Sequence, residues 1–415
     1  MIQLALASLN NRRVTALLTL LSIALSVALL LSVEKLRRDA RASFANTVSG
    51  VDLIVGARSG SVQLLLYSVF RIGNATNNIS WESYLDLTRH RDVAWTVPIS
   101  LGDSHRGYRV LGTTEDYFKH YKYGRKRALE LSQGRVFKHE LDAVLGAEVA
   151  RALGYQVNDK IVVAHGAGDV NLVEHADKPF TVVGILARTG TPIDRTVHVS
   201  LAGIEAIHED WTDGRKDLAA GLNFDKKVDR TPTAITAFLV GLKKRTAIFR
   251  VQRAINKYSE EPLLSILPGV ALQELWDVMH LAEDALRVVA IMVVGTGILG
   301  MLVVILASLE ARRREMAILR SVGATPWHVC GLFVVEAGML SAAGIAAGTA
   351  LHYAVVLLVR PVAQSFAGIE IPLASLSASD GWVLAGVLVA GLIAGLVPAL
   401  RAYRMSLADG LSIRM

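Results

Sequence analysis

Cysteine is almost absent from this chain. Its one thiol, Cys330, leaves no partner for a disulfide within the 415 residues, so any folded domain must be held by its own packing. The residues also lack the short motifs of common chemistries. There is no G-x-x-x-x-G-K-[ST] to cradle nucleotide phosphates, no H-E-x-x-H and no G-x-S-x-G. Those absences remove P-loop ATP binding, zincin chemistry and serine-hydrolase chemistry from the functions open to these residues. Nine of the eleven histidines fall between Glu34 and Arg287, and none shows zinc-ligand spacing. His165 and His175, near Asp169, Glu174 and Asp177, come nearest to a ligand pair, but scattered surface histidines are the simpler reading. No metal and no cofactor is expected in this chain.

A strong excess of one charge is missing as well. The formal charge is +7, yet Glu34–Arg287 holds 34 Lys/Arg against 31 Asp/Glu, and the rest holds 10 against 6. The surplus sits beside apolar runs, which is the mark of membrane topology; no nucleic-acid partner is expected.

What the chain has is hydrophobicity beside charge: 52% hydrophobic residues and a mean hydropathy of +0.40, with 20% charged. Four runs reach spanning length: Val14–Val33, Val288–Leu309, Gly331–Val359 and Trp382–Leu400. Each meets the ~20 residues needed to cross about 30 Å of hydrocarbon. The first imitates a signal peptide, with Arg12 and Arg13 before it and Ala40-Arg41-Ala42 after it. Its apolar core exceeds the ~7–15 residues of a signal sequence, and Glu34–Arg41 is charged, so it reads as an uncleaved span.

The organisation follows: an N-terminal amphipathic segment and first span over 1–33, a polar region over 34–287, and the second span over 288–309. A charged loop over 310–328 leads to the third span (329–359), a short loop (360–381), the fourth span (382–400) and a tail (401–415). Arg12, Arg13, Arg312, Arg313, Arg314, Arg320, Arg401, Arg404 and Arg414 gather on one side, which places both termini in the cytoplasm and 34–287 outside it.

Within 34–287, β-rich runs alternate with turns at Ala94–Leu101, Gly107–Thr113, Lys160–His165, Phe180–Leu186, Thr196–Leu201 and Ala234–Leu242. Glu148–Leu153 reads as a helix closed by Gly154. The expected fold is an α-helical membrane bundle of four spans plus a large α+β domain, in two subdomains. Asp210–Thr233 reads as a loop excursion. Leu36–Val48 and Leu272–Leu286 are expected to extend the first two spans outward as paired stalk helices.

Four features carry candidate roles. Gly344 and Gly348 in the third span, and Gly391 and Gly395 in the fourth, are small-residue pairs for close helix approach, inside one bundle or at a dimer face. Glu336 is an intramembrane carboxylate, expected to make a structural hydrogen bond near the cytoplasmic end; the spans offer it no relay of deep ionisable groups. In Val51–Gly73, the apolar stretch containing Leu64, Leu65, Leu66, Tyr67 and Phe70 is too short to span. It reads either as buried core or as a segment facing lipid or an amphipathic substrate. The loop Glu310–Val329 has the pattern of a short amphipathic helix between spans.

Three stretches carry a family resemblance. The opening A-L-A-S-L-N-N-R-R-V-T-A-L-L, the R-R-R-E-M-A-I-L-R-S-V-G-A after the second span and the closing P-A-L-R-A-Y-R-M-S-L-A-D-G-L resemble the FtsX-like/MacB-type permeases of ABC transporters. Within the large region, Gly134–Phe137, Ala143–Gly146 and Phe180–Leu186 are similar to the MacB periplasmic core domain.

The resemblance implies a non-catalytic, dimeric inner-membrane permease, homo- or heterodimeric, working with a cytoplasmic ATPase that binds ATP and Mg. MacB carries its ATPase ahead of the permease, so here the ATPase is expected as a separate subunit. Met316, Ile318 and Leu319 would then anchor a coupling helix ended at Gly323. Arg312, Arg313, Arg314 and Arg320 would steer the contact, and Glu315 would counter-pair. The implied work is mechanical export or extraction of an amphipathic, lipidated or small-molecule substrate, with an adaptor and outer-membrane channel or a lipoprotein as further partners. A second class is an FtsX-like regulator of a cell-wall hydrolase.

Overall fold

The computed structural model describes residues 2–165, 173–174, 177–208, 211–212, 215–216, 231–311, 316, 318, 320–367, 373 and 375–404. The chain divides into two compact units. A membrane unit takes Met1–Asp39, His280–Val362 and Ile371–Met415; a sheet unit takes Ala40–Met279 with Ala363–Glu370.

The sheet unit is built on nine principal strands. They are β1 (Leu53–Ala57), β2 (Val93–His105), β3 (Tyr108–Thr113), β4 (Leu131–Gly134), β5 (Asp142–Leu145), β6 (Phe180–Leu186), β7 (Thr196–Ser200), β8 (Ala237–Leu242) and β9 (Leu263–Ile266). Their order is β9-β1-β8-β2-β3-β7-β5-β6-β4. Pairs β3–β7 and β5–β6 are parallel, and the other neighbours along this order are antiparallel. The long strand β2 is the hinge of the arrangement. Its first half pairs with β8 (Ile99 opposite Ala237) and its second half with β3 (Leu101 opposite Leu111), with a register shift before Ser104.

Side-chain alternation explains the two expected subdomains. Ile54, Val97, Leu239, Val144 and Val183 point to one face and share a single core along the sheet. On the other face, Leu53, Val55, Phe238 and Val240 form one cluster, while Ala143, Leu145, Val182, Val197 and Val199 form another. The unit is therefore one sheet with a common core on one side and two lobes on the other. Helix Ile248–Asn256 buries Val251 and Ile255 in the first lobe; helices Ala147–Leu153 and Leu201–His208 supply Val149, Ile204 and Ile207 to the second. Gly154 closes helix Ala147–Leu153 at φ 72°, a left-handed conformation that costs glycine nothing.

The apolar stretch Leu64–Phe70 belongs to that common core. It forms helix Ser61–Leu65 followed by a π-helix over Leu66–Phe70, and Leu64, Leu65, Tyr67 and Phe70 are all buried. Only Leu66 is half-buried. Of its two readings, the buried-core one fits. The lipid- or substrate-facing reading fails for this fold because these side chains are spent on packing against β1, β2 and β8.

Four helices are long and apolar enough to cross a membrane: span 1 in Arg13–Thr47, span 2 in Pro268–Ala311, span 3 in Pro326–Ala367 and span 4 in Ala378–Arg404. A separate short helix, Ile2–Asn11, precedes them. Span 3 runs past the expected end at Val359 to Ala367, with Pro361 inside the helix. The helix of span 1 runs on to Thr47, and that of span 2 starts at Pro268. In the sheet unit these helices meet where the Phe44 ring lies 5.5 Å from that of Trp276, with the Arg41 guanidinium also 5.5 Å from Trp276.

Candidate functional site

The membrane unit carries polar or exposed features at two ends, one between spans 2 and 3 and one where spans 1, 2, 3 and 4 leave their apolar stretches. At the first, a helical turn closes with the Val322 amide donating to Ile318 O (3.1 Å) and the Gly323 amide to Arg320 O (3.1 Å). Gly323 then takes φ 103°. Span 3 starts at once. Thr325 precedes Pro326 at the first helical position, and His328 reaches back so that its Nδ1 accepts from the Thr325 amide (3.3 Å) and meets its hydroxyl (2.6 Å). This is one half of a capping box, with imidazole in the usual glutamate place, while the His328 amide donates to the Thr325 carbonyl (3.0 Å).

The turn shows apolar side chains to solvent. Ile318 is 52% exposed, Val322 84% and Trp327 72%, and the Trp327 ring lies 5.3 Å from that of Tyr403. Met316 behaves differently. It is buried among Ile305, Val329, Phe333 and Ala399 in the bundle core, so it is not available as an anchor for another protein. The helical pattern of the loop does not reveal which face the bundle takes; Met316 is on that face, Ile318 and Val322 are not. Arg320 is half-buried. Arg312, Arg313, Arg314, Glu315 and Leu319 lie outside the described residues.

Between the two ends, small residues set the spacing of the spans. A Cβ on Gly344 would lie 2.6 Å from Ile23, and one on Gly348 2.6 Å from the Ala24 carbonyl oxygen, so span 3 packs on span 1. A Cβ on Gly391 would collide with Ser341, and one on Gly395 would lie 2.5 Å from Ala337, so span 4 packs on span 3. Both glycine pairs are used inside one chain. Glu336 is buried on span 3.

At the other end the bundle wears a polar collar. Arg38 grips Asp380 with both nitrogens, at 2.7 and 2.9 Å. Glu34 accepts from Arg37 at 2.6 Å and lies 3.7 Å from Arg287 of span 2, while Lys35 pairs with Asp39 at 2.9 Å. Ser32 Oγ meets His352 Nδ1 of span 3 at 2.9 Å. Asp380 has a second duty: its carboxylate accepts from the Ser377 amide (2.9 Å), and Ser377 Oγ accepts from the Asp380 amide (3.3 Å). This reciprocal pair is the capping box of span 4. His352 and the Arg38–Asp380 pair escape sequence reasoning, the first as a lone imidazole in an apolar run, the second as partners 342 positions apart. A local signal existed only for the cap, as S-x-x-D before an apolar run.

Two histidines of the sheet unit serve packing. His105 bonds the Val162 carbonyl (2.6 Å) and the Tyr155 hydroxyl (3.0 Å). His198 lies in the core beside Tyr117 and Phe118, and burial with nearby Arg71 pushes its pKa down to about 3. His175 and Asp169 of the candidate metal pair lie outside the described residues.

A four-span bundle carrying a mixed-sheet domain between its first two spans defines a permease-type membrane protein. The family of MacB-like periplasmic core domains matches residues 16–258, more than half of the chain, and the FtsX-like permease C-terminal family matches 287–407. The chain belongs to this MacB-like, FtsX-type family of ABC-transporter-type permeases. It is similar to the pyoverdine export ATP-binding/permease protein PvdT of Pseudomonas fluorescens strain Pf0-1, at 26% identity over 64% of this chain and 38% of that one. The Pseudomonas aeruginosa PvdT is 25% identical over 62% of this chain and 36% of its own length. The chain thus spans under two fifths of the length of the curated relatives it matches. Among solved structures, the periplasmic region of MacB from Actinobacillus actinomycetemcomitans aligns over 55% of this chain and 94% of its own, at 11% identity and a TM-score of 0.35. The extracellular domain of YknZ from Gram-positive bacteria aligns over 52% of this chain and 98% of its own, at 11% identity and a TM-score of 0.29.

Proposed function

We propose that this permease is the lever of an exporter: a cytoplasmic ATPase docks on the turn between spans 2 and 3, and its closure moves the sheet domain in the periplasm. The carrying observation is the exposed apolar set Ile318, Val322 and Trp327 on a turn with arginine at Arg320, beside the Arg312–Arg314 run of the sequence. Exposed apolar residues ringed by charge suit a partner groove, with the charges guiding approach and register. In this orientation both termini are cytoplasmic, as the arginine distribution favours.

The helices of spans 1 and 2 hold 35 and 44 residues. At 1.5 Å per residue they reach about 52 and 66 Å, well beyond the ~30 Å of hydrocarbon. Unbroken helix of that length resists bending and suits the transmission of force. The cargo class is an amphipathic, lipidated or small molecule, a reading supported by the export role named for the PvdT relatives. The working unit is a dimer of permeases with one ATPase for each, and an adaptor and outer-membrane channel complete it where the cargo must leave the periplasm.

The double variant I318D/V322D tests the docking turn. It should insert and fold as the wild type does but lose most permease-dependent stimulation of the partner ATPase in reconstituted vesicles. Full stimulation by the variant removes the turn from the coupling path.

A further inference from the structure

The sheet unit contains a cavity of about 510 Å³ that the lever does not use. Its size lies in the ~300–1,000 Å³ range of small-molecule sites. Asn74, Asn77 and Asn78 reach it from one loop, and the guanidiniums of Arg71 and Arg109 line it together.

Neither guanidinium has a carboxylate partner among the described residues. Arg71 donates to the Ser68 carbonyl and, from Nη2, to the Tyr117 hydroxyl at 3.4 Å, while its Nε is buried without a partner. Arg109 makes one hydrogen bond, from Nη2 to the Gly73 carbonyl at 3.2 Å. Elsewhere in this unit arginines next to buried acids are matched: Arg135 with Asp142 at 2.7 Å, Arg151 with Glu148 at 2.6 Å. Both guanidiniums are half-buried, and burial lowers the Arg109 pKa. Such an arrangement costs free energy until a counter-charge enters.

The backbone supports the same conclusion. Arg71 follows the π-helix Leu66–Phe70 and holds φ 61°, a left-handed conformation unfavourable to a residue with a long side chain. π-helical turns and strained non-glycine positions concentrate at functional sites. Here both serve to deliver one arginine to the cavity wall.

We propose that this cavity binds an anionic small molecule through a carboxylate or phosphate group, held by Arg71 and Arg109 and surrounded by the Asn74–Asn78 amides. The planar guanidinium fork matches either oxyanion with two parallel hydrogen bonds, which a lysine ammonium does not. The site is independent of ATPase docking, so its binding is measured without nucleotide or partner.

The full chain in nanodiscs of phosphatidylcholine is titrated calorimetrically with citrate and, separately, with inorganic phosphate. At least one probe should bind saturably at a single site. The R71Q/R109Q double variant should weaken that binding at least tenfold, and R125Q, at an exposed arginine outside the cavity, should leave it unchanged. A second measurement does not depend on how the variants fold. On the wild type, citrate should slow phenylglyoxal modification of Arg71 and Arg109 several-fold relative to Arg125, read by peptide mass spectrometry. Nanodiscs doped with phosphatidylglycerol identify the natural source of the anion: loss of citrate binding assigns the site to a lipid headgroup, and unchanged binding assigns it to a soluble molecule. Absence of saturable binding by both probes overturns the proposal. So does a double variant that binds as tightly as the wild type, or equal modification of the three arginines with and without citrate.

Discussion

The two units handle charge in opposite ways. In the collar of the membrane unit the charges are matched: Arg38 with Asp380, Arg37 and Arg287 with Glu34, Lys35 with Asp39. In the sheet unit, Arg71 and Arg109 stand unmatched around a cavity, and a buried imidazole, His198, is held neutral. The difference follows from the solvent. At the edge of lipid an isolated charge has little water to fall back on, so it is paired or placed at the interface. A domain bathed in water can leave a charge half-solvated and let a ligand complete it. The Arg38–Asp380 and Arg287–Glu34 pairs join helices of the bundle, whereas the unmatched Arg71 and Arg109 mark an opening for something else.

The sharpest way to break that contrast is to unmatch the collar. Asp380→Asn takes from the Arg38 guanidinium its bidentate carboxylate, leaving only Glu34 at 3.8 Å, and leaves the span 4 cap with a neutral amide oxygen as acceptor. Removing one partner of a buried pair costs about 3–5 kcal/mol. Because Arg38 is one-third exposed, the low end of that range is expected. The loss should appear as a lowered thermal midpoint in detergent, and the Arg38→Met/Asp380→Leu pair should recover part of it. Equal destabilisation by the single and double variants would show that the pair itself does not hold the bundle.

The neutral imidazole of the sheet unit supplies the next test. The folded pKa of His198 is about 3, below the ~6.5 of an unfolded histidine, so between these values the unfolded state binds the extra proton. Stability is then full above about pH 6.5 and falls as the pH drops toward 3, by up to about 1.4 kcal/mol per unit. Tyr117, Phe118 and Arg71 face the ring, and none offers it a carboxylate. His198→Phe should flatten this slope when unfolding midpoints are compared at pH 7 and pH 5. A slope as steep as that of the wild type would assign the acid sensitivity to other groups.

The smallest effect should come from the cap alone. Ser377→Ala removes the hydroxyl that accepts from the Asp380 amide while leaving the Arg38 grip in place, and should cost about 1 kcal/mol. A loss as large as that of Asp380→Asn would mean that the cap, not the ion pair, carries the collar.

Much of the fold is legible in the sequence because its periodicities are strong. The spans show as long apolar runs, and β2, β3, β6 and β7 show as alternating or β-branched stretches. Strand β1 (Leu53–Ala57) is harder to see, since it is buried on both faces and reads as a continuous apolar run beside another, Leu64–Phe70. The same ambiguity left that second run open between core and surface until the packing of Leu64 and Tyr67 decided it. The candidate site is less legible. Small-xxx-small pairs announce close approach but not the partner, and only the bundle shows Gly348 against Ala24 and Gly395 against Ala337. A helical pattern likewise marks Met316 and Ile318 as apolar without saying that one faces inward and the other outward. Long-range pairs such as Arg38–Asp380 and Ser32–His352 have no local pattern at all.

One carboxylate, that of Asp380, both starts span 4 and fastens span 1. The two helices are therefore not separately adjustable at that level. A displacement of Arg38 would change the charge around the carboxylate that also caps span 4, and loss of the Asp380 carboxylate would touch both helices. Asp380 is therefore a joint through which the first turn of span 4 and the hold on span 1 feel the same charge.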